Sequence, residues 1–353
     1  VYVPTVTPFD EHGEIMFDAL EQLIEHWLGG GVSGLVANAS TGEAPYLSRD
    51  EKKRIIEFMI DRVDGRAQVF ACTGAMGTRE TIALTRDAKE AGAGAALVTI
   101  PFFFKPTGEE IAEHYIALMD AVDLPVILYN VPKFTGYSVD PRTVARIAEE
   151  SSLLVAMKDS SGNPGTMAEV IRLCGDRISA LSGNADMILP TLMLGGKGAI
   201  VAVANVIPAQ CAGIVEAYRG NDLAAAGEGQ HTASYVNKVL VRENPQIAAI
   251  KTALNQMGYG AGSPRRPLKP LDEATAEKIR AAVRDVLADY PGKQPALRQA
   301  QDTAKPAGAA PKAARGSPKS ARAPALGESA ITVLERRYLR KDAEGRVIET
   351  PED

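Results

Sequence analysis

Eight apolar runs rich in valine, isoleucine, leucine and alanine punctuate the chain at residues 3–7, 34–38, 69–73, 95–100, 125–129, 154–158, 178–182 and 198–202. They are near-continuous rather than alternating, as in parallel strands buried on both faces. Amphipathic stretches separate them, among them residues 48–63, 78–91, 108–121 and 140–150. Ser48 stands three residues ahead of Glu51, a capping-box spacing, and Asp140-Pro141 sets a cap before proline at the first helical position. Eight strands alternating with helices predict an α/β fold, a (β/α)8 TIM barrel. An open doubly wound sheet is the alternative, but no GxGxxG follows the first run. Further helical stretches follow at 207–219, 222–240, 245–257 and 273–290. The barrel needs one of them, and the rest predict a C-terminal helical annex.

The expected organisation is a barrel over 1–220, an annex over 221–292, a disordered linker over 293–327 and a short tail over 328–353. The linker holds seven Lys/Arg against one Asp and is rich in Ala, Pro and Gly. With almost no large apolar residue, it lacks the surface that would offset its ordering entropy. Its basic excess offers a contact for nucleic acid, but a solvated tether is the plainer reading.

The chain of 353 residues is 45% hydrophobic and 24% charged, with a formal net charge of −5. A large core is available, and the acidic balance argues against nucleic acid or an anionic membrane as the main partner. No apolar run reaches the roughly 18 residues of a membrane span. Cys72, Cys174 and Cys211 are scattered and odd in number, and His12, His26, His114 and His231 lack metal-ligand spacing. Neither a disulfide framework nor a metal pair is read from them. They read as core or surface residues. A cytoplasmic location is expected, since a reducing compartment suits such cysteines and no signal-peptide pattern precedes the first run.

In a barrel of this type the active site lies at the C-terminal ends of the strands. Lys158 closes an apolar run there. Desolvation would favour its neutral amine, able to form a Schiff base with a carbonyl. A lysine that pairs with Asp159 or reaches solvent is the equal alternative. Tyr129 ends the preceding strand and offers a proton-carrying hydroxyl, or a core hydroxyl already satisfied. Ser40-Thr41-Gly42 offers two hydroxyls and backbone N–H groups for a carboxylate, or ordinary turn chemistry. Glu43 either orients that turn or is a solvated charge. Phe102-Phe103-Phe104 reads as packing or a subunit contact.

Several segments together carry a resemblance. They are Pro4-Thr5-Val6-Thr7-Pro8-Phe9, Ser40-Thr41-Gly42-Glu43, Tyr129-Asn130-Val131-Pro132, Met157-Lys158-Asp159-Ser160-Ser161-Gly162 and Leu181-Ser182-Gly183, with Gly198-Ala199-Ile200 and Arg266-Pro267-Leu268. In this order the chain resembles the dihydrodipicolinate synthase / N-acetylneuraminate lyase family of Schiff-base aldolases, from Val3 to about Leu271. The resemblance implies a homotetrameric lyase that binds pyruvate, or another 2-oxo acid, as an imine, with no metal or organic cofactor. On the matching positions Lys158 is the imine lysine and Tyr129 the general acid/base. Ser40 and Thr41 bind the pyruvate carboxylate, Ser40 also passes protons, and backbone near Ile200 lines the pocket. The family's synthases carry an arginine where this chain has Phe134, and a neighbouring subunit's tyrosine where it has Phe103. The second-substrate half is thus altered. A synthase acting on pyruvate and an aldehyde is the first expectation. An aldolase or dehydratase of 2-keto-3-deoxy acids is the second, and a non-catalytic oxo-acid-binding scaffold the third. Residues 329–353 resemble the leader of adenosylcobalamin-dependent ribonucleotide reductases, without that enzyme's catalytic barrel.

Overall fold

The computed structural model describes residues 1–288. The expected linker, the tail and the last residues of the annex lie outside the described residues. Eight parallel strands follow one another round a single sheet: β1 (Tyr2–Pro4), β2 (Gly34–Ala37), β3 (Gln68–Cys72), β4 (Ala95–Thr99), β5 (Val126–Asn130), β6 (Leu154–Asp159), β7 (Ser179–Ser182) and β8 (Gly198–Ala199). A parallel bridge between Tyr2 and Ile200 brings the eighth strand back to the first. The expected (β/α)8 barrel is therefore present.

The first and eighth strands fall furthest short of their apolar runs. The chain leaves the eighth run through a 3₁₀ turn, Ala202–Asn205, and buried Asn205 fixes that exit. Its side-chain amide donates to the Pro4 and Ala202 carbonyls at 2.9 Å, and its oxygen accepts the Val6 N–H at 3.1 Å. These side-chain bonds replace ladder bonds where the strands end.

The surrounding helices are α1 (Phe17–Gly29), α2 (Arg49–Val63), α3 (Thr78–Glu90), α4 (Gly108–Ala121), the short α5 (Pro132–Thr135), α6 (Pro141–Glu150), α7 (Pro164–Cys174), α8 (Ile188–Met193) and α9 (Pro208–Arg219). Ser48 and Glu51 close the expected capping box on α2, and Asp140 caps α6 through the Arg142 N–H. Then come α10 (Leu223–Asn237), α11 (Gln246–Gln256) and α12 (Glu273–Ala288). The helix expected over 222–240 does not run through. After Asn237 it widens into a π-helical turn, Lys238–Arg242. Val36, Leu97, Ile127, Ala156, Leu181 and Ile200 fill the barrel interior, as the inward layers of such a barrel require. Trp27 is fully buried between barrel and helices, and His26 beside it is buried too. No helix among the described residues is long and apolar enough to cross a membrane.

Candidate active site

Parallel pairing sets the first relationship at the barrel mouth. Tyr129 on β5 and Lys158 on β6 are direct register partners, so both side chains leave the sheet on the same face. Lys158 is 3% exposed and its Nζ stands 4.0 Å from the centre of the Tyr129 ring. Asp159, one residue on, points to the other face. Its carboxylate accepts Asn130 Nδ2 and the Ser161 hydroxyl, each at 2.6 Å. The ion pair between neighbours that the sequence allowed is thus not made. Ser40 Oγ lies 3.4 Å from Tyr129 Oη, so the two hydroxyls meet beside the ring that Lys158 faces. Burial pushes the Cys72 thiol on β3 above its ordinary value, keeping it a neutral thiol rather than a rival nucleophile.

The Ser40–Gly42 turn is held from below and behind. Thr7 Oγ1 donates to the Gly42 carbonyl at 2.7 Å. A Cβ on Gly42 would meet the Thr5 carbonyl oxygen at 2.7 Å, so the close approach requires glycine. Glu43 follows in the left-handed region, φ 61°, with its side chain fully buried. Its carboxylate meets Lys251 Nζ of α11 at 2.7 Å and accepts the Arg265 N–H at 2.7 Å. The solvated-charge reading of Glu43 therefore fails, and the orienting one fits. The same helix sends Gln246 Nε2 to Thr41 Oγ1 at 3.3 Å. Asn130 fixes the neighbouring loop, its oxygen accepting the Val139 N–H at 3.1 Å.

These groups open into a cavity of about 320 Å³. Ser40, Thr41, Tyr129, Lys158 and Phe134 all line it, together with Lys133, Ser160, Asn184, Asn237, Arg242 and Gln246. Its lining contains three cationic side chains and, among the described residues, no aspartate or glutamate. Such a cavity favours anionic ligands. Ile200 is placed one layer deeper, packed in the barrel interior, while Ala202 beyond it reaches the lining. Phe103 lies outside the lining, 82% exposed with φ 78°, edge-on to Phe104. Asn237, Arg242 and Gln246 escaped the sequence reading. They are single polar residues on the C-terminal helices, and nothing in their spacing separates them from ordinary helix residues.

Known proteins resemble this chain over the same region. The dihydrodipicolinate synthetase family profile matches residues 1–286. A 4-hydroxy-tetrahydrodipicolinate synthase of Syntrophus aciditrophicus is 40% identical over 284 residues, covering 80% of this chain and 96% of that protein. One from Methanocaldococcus jannaschii is 38% identical over 286 residues, covering 81% and 98%. Among solved structures, a prophage protein of the dihydrodipicolinic acid synthase family from E. coli K12, in complex with pyruvate, superposes with a TM-score of 0.78 at 30% identity, covering 81% of this chain and 98% of that one. The dihydrodipicolinate synthase of Thermotoga maritima gives 0.78 at 32% identity, covering 81% and 97%.

Proposed function

Because the chain belongs to the dihydrodipicolinate synthetase family, we infer that it is a pyruvate-dependent lyase of the class I aldolase type, with Lys158 as its imine-forming nucleophile. The supporting observation is a buried amine that does not pair with Asp159, 4.0 Å from the Tyr129 ring, in a cavity that Lys133 and Arg242 also line. The neutral amine attacks C2 of pyruvate, and water leaves to give a protonated imine. Its electron deficiency labilises a methyl proton, and the resulting enamine attacks an aldehyde carbon. Tyr129 and Ser40, 3.4 Å apart, carry protons to the departing hydroxyl and to the new alkoxide. Thr41 and the backbone of its turn hold the pyruvate carboxylate. In this reading residues 1–220 are the catalytic barrel, and 221–292 an annex that contributes Arg242 and Gln246. A homotetramer suits the exposed Met76, Phe103 and Phe104, and a cytoplasmic location suits the free cysteines.

Condensation of pyruvate with an aldehyde, as in the named synthases, is the first form of the reaction. Aldol cleavage of a 2-keto-3-deoxy acid is the second, favoured by Phe134 at the rim where synthases of the family carry arginine. Borohydride reduction in the presence of pyruvate tests the shared core. The peptide bearing Lys158 should gain a reduced pyruvyl group, and Lys158→Ala should lose it. An adduct that persists in the variant overturns the assignment.

A further inference from the structure

On that pyruvate-imine reading, the same cavity must also hold a second substrate. Phe134 presents a half-exposed ring with no hydrogen-bonding atom. Lys133, exposed and also lining the cavity, stands with its Nζ 5.6 Å from the centre of that ring. The remaining cation comes from elsewhere. Arg242 closes the π-helical turn Lys238–Arg242 and lines the cavity with Asn184 and Asn237. Its Nη1 lies 3.3 Å from Asp186 Oδ2. That oxygen also accepts Asn237 Nδ2 at 3.0 Å, and Asn237 donates to Asn184 Oδ1 at 3.1 Å. The aspartate therefore steers the guanidinium and engages part of its fork, leaving further N–H donors for a ligand. π-helical turns of this kind recur at functional sites, where they re-aim a side chain that an α-helix would carry elsewhere.

The pyruvate carboxylate is accounted for by the Ser40–Thr41 turn, so the N–H donors of Arg242 that Asp186 leaves unused face the rest of the cavity, where a second anionic group would meet them. We propose that Arg242 is the specificity-determining residue for the second substrate, binding a carboxylate at the far end of an aldehyde acceptor from its reacting carbon. A planar fork beside two carboxamides suits a carboxylate better than a mobile ammonium over a ring. The arginine missing at position 134 is thus replaced from the C-terminal helices rather than omitted.

Succinic semialdehyde and butyraldehyde test this, because they differ in a terminal carboxylate against a methyl group. The readout is the ratio of kcat/KM for the two acceptors with pyruvate, measured on the full chain. The wild type should prefer succinic semialdehyde. Arg242→Gln should lower that ratio by ten- to a hundredfold, Arg242→Lys should fall between, and Lys133→Gln should move it less than threefold. An Arg242→Gln ratio equal to wild type overturns the proposal, as does a fall confined to Lys133→Gln. A wild type that forms the pyruvate imine yet shows no preference for the anionic acceptor also overturns it. Failure of the underlying reading is separately visible, as absence of the borohydride adduct at Lys158.

Discussion

Glu43 and Lys251 meet at 2.7 Å with both side chains withdrawn from water, one on the turn that carries Ser40 and Thr41, the other on a helix far along the chain. An isolated charge in either place would be costly, and the attraction offsets that cost only while both partners are present. The Lys251 ammonium also faces the Phe9 ring, at 4.4 Å, and donates to the Ser263 carbonyl at 2.9 Å. Burial pulls its pKa down to about 8, with Glu43 opposing that shift. The pair thus fixes the turn, at the expense of two desolvated charges.

Lys251→Ala should therefore destabilise the fold by about 3–5 kcal/mol, because it strands the Glu43 carboxylate. Glu43→Gln combined with Lys251→Met removes both charges and should cost less than the single variant. Urea unfolding monitored by circular dichroism measures both. A single variant within about 1 kcal/mol of wild type would show that Glu43 finds another partner or water.

Tyr129→Phe keeps the ring beside Lys158 and deletes the hydroxyl that Ser40 approaches. Exchange of the pyruvate methyl protons in deuterated water should slow by roughly 10²- to 10⁴-fold, the usual worth of a positioned acid/base. The thermal midpoint should change little. Exchange at the wild-type rate would assign the proton transfer elsewhere.

Gln246→Ala breaks the bond from α11 to Thr41 Oγ1 without touching the reacting groups. The expected effect is a several-fold rise in KM for pyruvate, corresponding to about 0.5–1.5 kcal/mol for one neutral hydrogen bond. The maximal rate should fall much less. A loss confined to the rate would mean that Gln246 serves the chemistry rather than the carboxylate site.

Two buried histidines set an acid limit. Burial holds His26 and His114 down at a pKa of about 4, against 6.5 for an unperturbed ring. Between those values the unfolded chain binds protons that the folded chain refuses. Their contribution is thus complete above about pH 6.5 and is lost as pH falls toward 4. Unfolding free energy should drop across this window by roughly 3 kcal/mol per ring. His114→Gln should flatten the decline. A pH profile flat from 7 to 4 would contradict neutral burial of both rings.

The barrel was legible because a strand buried on both faces must be written as an apolar run, and eight such runs leave few other architectures. Strand ends in this fold point to one mouth, which placed Lys158, Tyr129 and Ser40 there, while the roles expected of them came from the family resemblance. The cavity's outer half was not. Arg242 reaches it through a widened turn that no residue pattern announces, and Gln246 sits on a helix whose polar residues look like ordinary surface. The Glu43–Lys251 contact joins distant positions, so only the folded chain reveals it. Phe103, matched by resemblance to a proton-relaying position, lies outside the cavity of the single chain.

The π-helical turn after α10 gives this enzyme an unusual route to new selectivity. An α-helix advances about 100° per residue. Deleting one residue from Lys238–Arg242 would restore regular winding and swing the guanidinium about a quarter-turn from the mouth, with the irregular link ahead of Gln246 available to absorb the slack. On the role proposed for Arg242, insertions and deletions there, rather than point substitutions, would retune the acceptor while leaving Lys158 and Tyr129 untouched.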